Sequence, residues 1–150
     1  MRVVKINLLA LLTLIPLVVL GSHFPPPSST FQPMSVYITK ASLNGVDLVS
    51  GDEVGVFDGA VCAGVEVFSQ VATRQSPVSL LAYKEDNGET GFTEGHSMVF
   101  KAWDASAGVE YTFESDEVQF LDPQSGAEIG EQYFEGLGTV MVELTGSYNI

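Results

Sequence analysis

Residues 51–64 read GDEVGVFDGAVCAG and hold three acids, four glycines and the only cysteine of the chain. Val54 and Val56, then Val61, Ala63 and Val65, recur at period two, the spacing of strands that bury one face. Asp58-Gly59 separates the two runs. Glycine reaches positive φ without steric cost, so the pair closes a tight turn whose twist matches the flanking strands. Gly51-Asp52 reads as a turn ahead of the first strand, and Gly55 inside it marks a bulge or the close approach of another backbone. Phe57 can enter the core while the carboxylate beside it accepts backbone N–H bonds in the turn. The stretch therefore predicts a β-hairpin in which Asp52, Asp58 and Gly59 bend the backbone. Cys62, among small apolar neighbours, reads as buried packing, and with no second cysteine the chain closes no disulfide on itself.

The same grammar continues on both sides. MSVYIT (34–39) alternates, and Asn44-Gly45 is a hairpin signal. VSLLAY (78–83), a continuous apolar run after Pro77, suits a central strand. SMVFKAW (97–103) and VEYTFES (109–115) flank the turn DASAG, where Asp104 takes the place of Asp58. EVQFLD (117–122) and GTVMVELTG (138–146) complete the series. Turn residues every eight to twelve positions predict an all-β fold of eight to ten strands over residues 34–150, a sandwich or a barrel; an antiparallel β-sandwich of Ig-like or cohesin-like kind is the expectation. SQVATRQ (69–75) is the one short helical candidate. Residues 51–68 and 95–113 align as a weak repeat: aromatic-Asp pairs Phe57-Asp58 and Trp103-Asp104, then Ala-Gly-Val-Glu at 63–66 and 107–110. Two hairpins on one plan, one in each half of the sandwich, are expected.

Ahead of the domain, residues 1–22 (MRVVKINLLALLTLIPLVVLGS) have basic residues at Arg2 and Lys5, an apolar run from Leu8 to Leu20 and small residues at Gly21 and Ser22. That is the layout of a secretory signal peptide cut near Gly21 or Ser22. The apolar run is shorter than the roughly 20 residues of a membrane-spanning helix. Export to the extracellular space or cell surface is expected, with no membrane insertion after cleavage. HFPPPSSTFQP (23–33) is a Pro-rich arm that holds the domain off or lies along it. Without Arg2 and Lys5, four of the six basic residues face nineteen acidic ones, a net charge of −15. Such a chain repels nucleic acid and anionic lipid surfaces.

The stretches QPMSVYITKASLNGVDLVSGDEVGVFDGAVCAGVEVF (32–68) and SLLAYKEDNGETGFTEGHSMVFKAWD (79–104) resemble a module recurrent in exported bacterial surface proteins. Its pattern is GDEIGVFDG…CVG followed by DGFT.G..I.F..WD. The resemblance implies a β-sandwich used as an accessory or adhesive unit, and it carries over no catalytic residue.

Candidate sites are few. KEDNGETGFTEGH (84–96) offers oxygen ligands at Glu85, Asp86, Asn87, Glu89 and Thr90 around Gly88, which suits calcium, although the spacing is not that of an EF-hand. No other cofactor is expected. His23, His96 and Cys62 do not assemble a zinc set, and no nucleophile with an oriented imidazole or phosphate loop stands out, so no enzyme is expected. Stacking on sugars needs exposed rings; Trp103 reads as core, leaving Tyr37, Tyr83, Tyr111, Tyr133 and Tyr148. Two functions stand: a non-catalytic structural or adhesive surface module that associates with its own copies or other surface proteins into an extracellular assembly or filament, and a carbohydrate-binding module whose partner is a glycan. For the first, the apolar segment 138–146 is expected to pair with the edge of a neighbouring copy.

Overall fold

A computed structural model describes residues 21–148. All but the last two residues of the leader lie outside them. Ten strands and one 3-10 turn follow in order: β1 (Phe31–Leu43), β2 (Val46–Asp47), β3 (Glu53–Asp58), β4 (Val61–Val67), β5 (Val78–Lys84), β6 (Val99–Asp104), β7 (Val109–Thr112), the 3-10 turn (Ser115–Glu117), β8 (Val118–Leu121), β9 (Glu128–Ile129) and β10 (Thr139–Gly146). One sheet runs β2-β1-β10-β8-β9, with β5 also on β1; the other runs β4-β3-β6-β7. The fold is an all-β sandwich.

Alternation explains the two layers. Val36 and Ile38 of β1 and Val140, Val142 and Leu144 of β10 point into one core, opposite Val54 and Val56 of β3 and Phe100 and Ala102 of β6. All are nearly solvent-free, and each large apolar side chain so buried contributes about 1.5–3 kcal/mol. Asn44 and Gly45, both at positive φ (50° and 76°), close the β1–β2 hairpin as the Asn-Gly signal requires. The β3–β4 loop is Gly59-Ala60, because Asp58 still pairs with Val61; Gly59 carries the positive φ, 58°.

Several expectations change. The β1–β10 pair is parallel, Val36 opposite Val140 and Ile38 opposite Val142. The other edge of β10 belongs to β8, with Val142 opposite Phe120. Both edges of the C-terminal strand are taken, so it offers none to a neighbour. β5 is not central: Val78, Leu80 and Ala82 are buried while Ser79 and Leu81 face outward, and it pairs only with β1. Residues 69–75 form bends; the 3-10 turn is the only helical piece among the described residues. The two repeated hairpins lie side by side in one sheet, Val54 opposite Ala102 and Val56 opposite Phe100. The repeat holds at the strand-ending acids but only in part at Ala-Gly-Val-Glu, which is all strand in β4 but splits in the second copy into turn (Ala107-Gly108) and the start of β7 (Val109-Glu110).

The sandwich closes on one side where β4 meets β5. A Cβ on Gly64 would sit on the carbonyl oxygen of Leu81, so only glycine lets these two edge strands come so close.

Candidate functional site

The turn acids bond the backbone in three different ways. Asp52 is buried; its Oδ2 accepts the N–H of Val49 at 2.8 Å and its Oδ1 that of Ala105 at 2.9 Å, which ties its own turn to the β6–β7 turn. Asp104 stays local, Oδ1 accepting the Ser106 hydroxyl at 2.7 Å and the Ala107 N–H at 2.9 Å. Those bonds, the hydroxyl first, hold its carboxyl below the ordinary range. Asp58 reaches outside its turn to the N–H of Thr93 at 2.9 Å and to His96, whose Nδ1 lies 2.9 Å from Oδ1. It fastens the end of β3 to the segment leading into β6. Asp52 and Asp104 both serve the β6–β7 turn, while Asp58 serves the Thr93–His96 segment.

The Pro-rich arm is docked. β3 is buried on both faces: Val54 and Val56 meet the core, while Glu53, Gly55 and Phe57 look outward and are covered by the arm. Phe24, 3% exposed, meets Phe57 edge-on at 5.3 Å and packs with Cys62. A Cβ at Gly55 would stand 2.7 Å from the Phe57 ring and 3.1 Å from that of Phe24. The close approach at this glycine is therefore by side chains, not by another backbone. His23 stacks flat on Trp103, ring centres 3.7 Å apart and planes 3° from parallel. Its Nε2 lies 2.9 Å from Glu110 Oε2, and that bond, helped by the charge of Lys101 at 3.6 Å, holds the Glu110 carboxyl low. Trp103 thus lies in a small second core outside the sandwich. Burial pushes the Cys62 thiol up, as for inert packing cysteines.

Glu53 is the feature that sequence reasoning missed. Only 5% exposed, it accepts the N–H of His23 at 2.6 Å, the N–H of Phe24 at 3.1 Å and the Ser22 hydroxyl at 3.1 Å. An acid between two turn signals looks like one more solvated charge; the clue was that its position shares a face with Phe57. Further along, Ser28 and Thr90 exchange bonds, with the Thr90 N–H 2.9 Å from Ser28 Oγ, and the buried Ser29 donates to the Lys84 carbonyl. The arm is pinned at 22–24 and 28–29, with three prolines between. β1 begins at Phe31 and so takes the last three residues of the segment expected to be arm.

The loop read for calcium is a hairpin tip. Asn87 and Gly88 take positive φ (46° and 88°) between the bridged Asp86 and Glu89, and Glu85 accepts the Thr93 hydroxyl at 3.0 Å. Among the described residues no three His, Cys, Asp or Glu side chains come together as a metal would need. Of the tyrosines, Tyr133 is the exposed one, at 50%; Tyr111 donates to Glu117 at 2.7 Å and is partly buried. A cleft of 520 Å³ opens between the β6–β7 hairpin and β8–β9, with Met98, Phe113 and Phe120 among its lining and a rim that includes Ser97, Glu114 and Gln132.

Exposed apolar residues stand at both ends of the strands, and Val61, Val71 and Leu81 are exposed as well. Val46, Val49 and Val67 lie where β1 ends and β3 begins. Phe31 and Leu137 lie where β1 and β10 begin, Leu137 donating its N–H to the Pro33 carbonyl at 3.2 Å. Leu137 is 70% exposed and holds φ at 66°, an uncommon conformation for a large side chain. No described helix is long and apolar enough to cross a membrane. Comparison with known proteins yields no matching family model, no matching curated protein and no matching solved structure.

Proposed function

We propose that the protein is an exported, non-catalytic structural or adhesive module of the cell surface that joins its own copies end to end. The carrying observation is the pair of apolar ends. A knob at one end (Leu137, Phe31) and a patch at the other (Val46, Val49, Val67) differ from each other, so contact between them is heterologous and repeats without closing. A lone small module gains avidity only when arrayed. Supporting this, the conspicuous acids Asp52, Asp58, Asp104 and Glu53 are spent on loops and arm. Sedimentation and negative-stain imaging of the exported protein test it. Oligomers or filaments are expected, lost in Leu137→Asp and in Val46→Asp alike; a wild-type monomer at high concentration overturns the proposal.

Glycan binding is the second reading, favoured by the cleft beside the exposed Tyr133, a concave site with apolar and polar lining. A glycan array bound by the wild type and silent for Tyr133→Ala supports it. The face of Trp103, the usual stacking platform, is taken by His23.

A further inference from the structure

We infer that Glu53 is the receptor for a new N-terminus. Cleavage on either side of Ser22 releases an α-ammonium that pairs with the Glu53 carboxylate and locks the arm onto the second sheet. This rests on the exported reading above, in which a leader is removed.

The site is built around a buried acid held by the arm. Glu53 is nearly solvent-free, and a buried carboxylate keeps its charge only against close partners. What it has are three donors, all uncharged and all from residues 22–24. Among the described residues no lysine, arginine or histidine side chain forms an ion pair with it. The titratable groups around it are accounted for: His23 on the arm is bonded to Glu110 of β7, Lys101 of β6 is paired with that same Glu110, and Cys62 of β4 is a buried thiol. Peptide-bond hydrolysis at this place would add a positive charge to those donors.

In that step a processing peptidase adds water across the bond before or after Ser22. The upstream residue leaves as a carboxylate and the downstream nitrogen becomes an ammonium. A cut after Ser22 turns the His23 N–H, already 2.6 Å from Glu53 Oε1, into a group with three donors and a full charge. A cut after Gly21 places the charge on Ser22, whose hydroxyl is 3.1 Å from Oε2. The small residues Gly21 and Ser22 suit such a peptidase. Residues 21–23 are exposed and Phe24 is the first buried one, so the bond can be reached while the arm beyond it is docked. Phe24 on Phe57 and His23 on Trp103 fix the register, and the new terminus cannot slide past its acceptor.

The test uses the full-length chain exported by a bacterial host, as wild type and as Glu53→Gln, which keeps shape and a hydrogen-bonding oxygen. Intact mass and N-terminal sequencing read the first residue, and an α-amine-selective acylating reagent reads how available its nitrogen is. We expect Ser22 or His23 first, and labelling of the wild type roughly tenfold slower than that of Glu53→Gln, as follows when ion pairing raises an amine by about one pH unit. A retained leader overturns both the exported reading and this inference; a first residue elsewhere, or equal labelling in the two proteins, overturns the inference alone. If Glu53→Gln does not fold, the pH midpoint of labelling in the wild type stands in. A midpoint above the ordinary value of about 8 supports the pairing, and one at that value sinks it.

Discussion

Leu137 occupies the third position of a four-residue turn closed by the Gly138 N–H on the Glu135 carbonyl at 2.9 Å, and its φ of 66° is glycine's territory. Holding a bulky residue there costs about 1–3 kcal/mol. Leu137→Gly should therefore raise the monomer's stability by about 1 kcal/mol in urea titration while abolishing assembly, the opposite signs expected of a residue kept for contact. A second expectation concerns acid. Asp104 is held low by the Ser106 hydroxyl and Ala107 N–H, and Asp122 by the Ser125 N–H and hydroxyl. The unfolded chain then takes up protons first as pH falls. Their stabilisation is full above about pH 4 and is lost as pH drops through the folded values. Asp104→Asn should flatten the acid limb of a Tm-against-pH curve, while the limb of the wild type stays steep. Turn acids were recognisable from Asp-Gly and Gly-Asp. The Asp52–Ala105 bond was not, since it joins loops 53 residues apart and no local pattern encodes that distance.

The seam and the arm show where pattern stops informing. Alternation in β1 and β3 told which side of each strand is apolar, and Asn44-Gly45 told where the chain reverses. Neither says what covers the second face of a strand. Glu53, Gly55 and Phe57 alternate like a solvent-facing row, yet they meet Phe24 from a proline-rich stretch whose composition reads as tether. Likewise β5 was too apolar to look like an edge strand, yet its Leu81 faces solvent, beside a shallow cavity it shares with Pro26 and Pro27. At the seam, Gly64→Val drives a branched side chain into the backbone of Leu81. Overpacking of this kind costs about 1–3 kcal/mol, so thermal unfolding should fall by about 5 °C. An unchanged Tm would mean that β4 and β5 part freely.

Across the molecule, charge would oppose the end-to-end association proposed above, which the apolar ends would favour. The whole chain carries a net charge of −13, so copies repel over a screening length of about 30 Å at 0.01 M salt and about 10 Å at 0.1 M. Light scattering should show larger assemblies as salt rises through that range; assemblies that dissolve instead would point to ion-paired joints. The all-β class was legible from strand spacing, which left a sandwich and a barrel open; the resemblance, not the spacing, pointed to the sandwich. Strand neighbours were not legible, and the β1–β10 pair is the clearest case: Val36 and Val140 belong to segments that share no local signal. That pairing also sets a timetable. The sheet's middle is vacant until its tenth strand arrives, so a chain threaded end-first through a narrow export channel has no finished sandwich to jam the passage. Under the export proposed above, the sandwich would be completed only once β10 has come through.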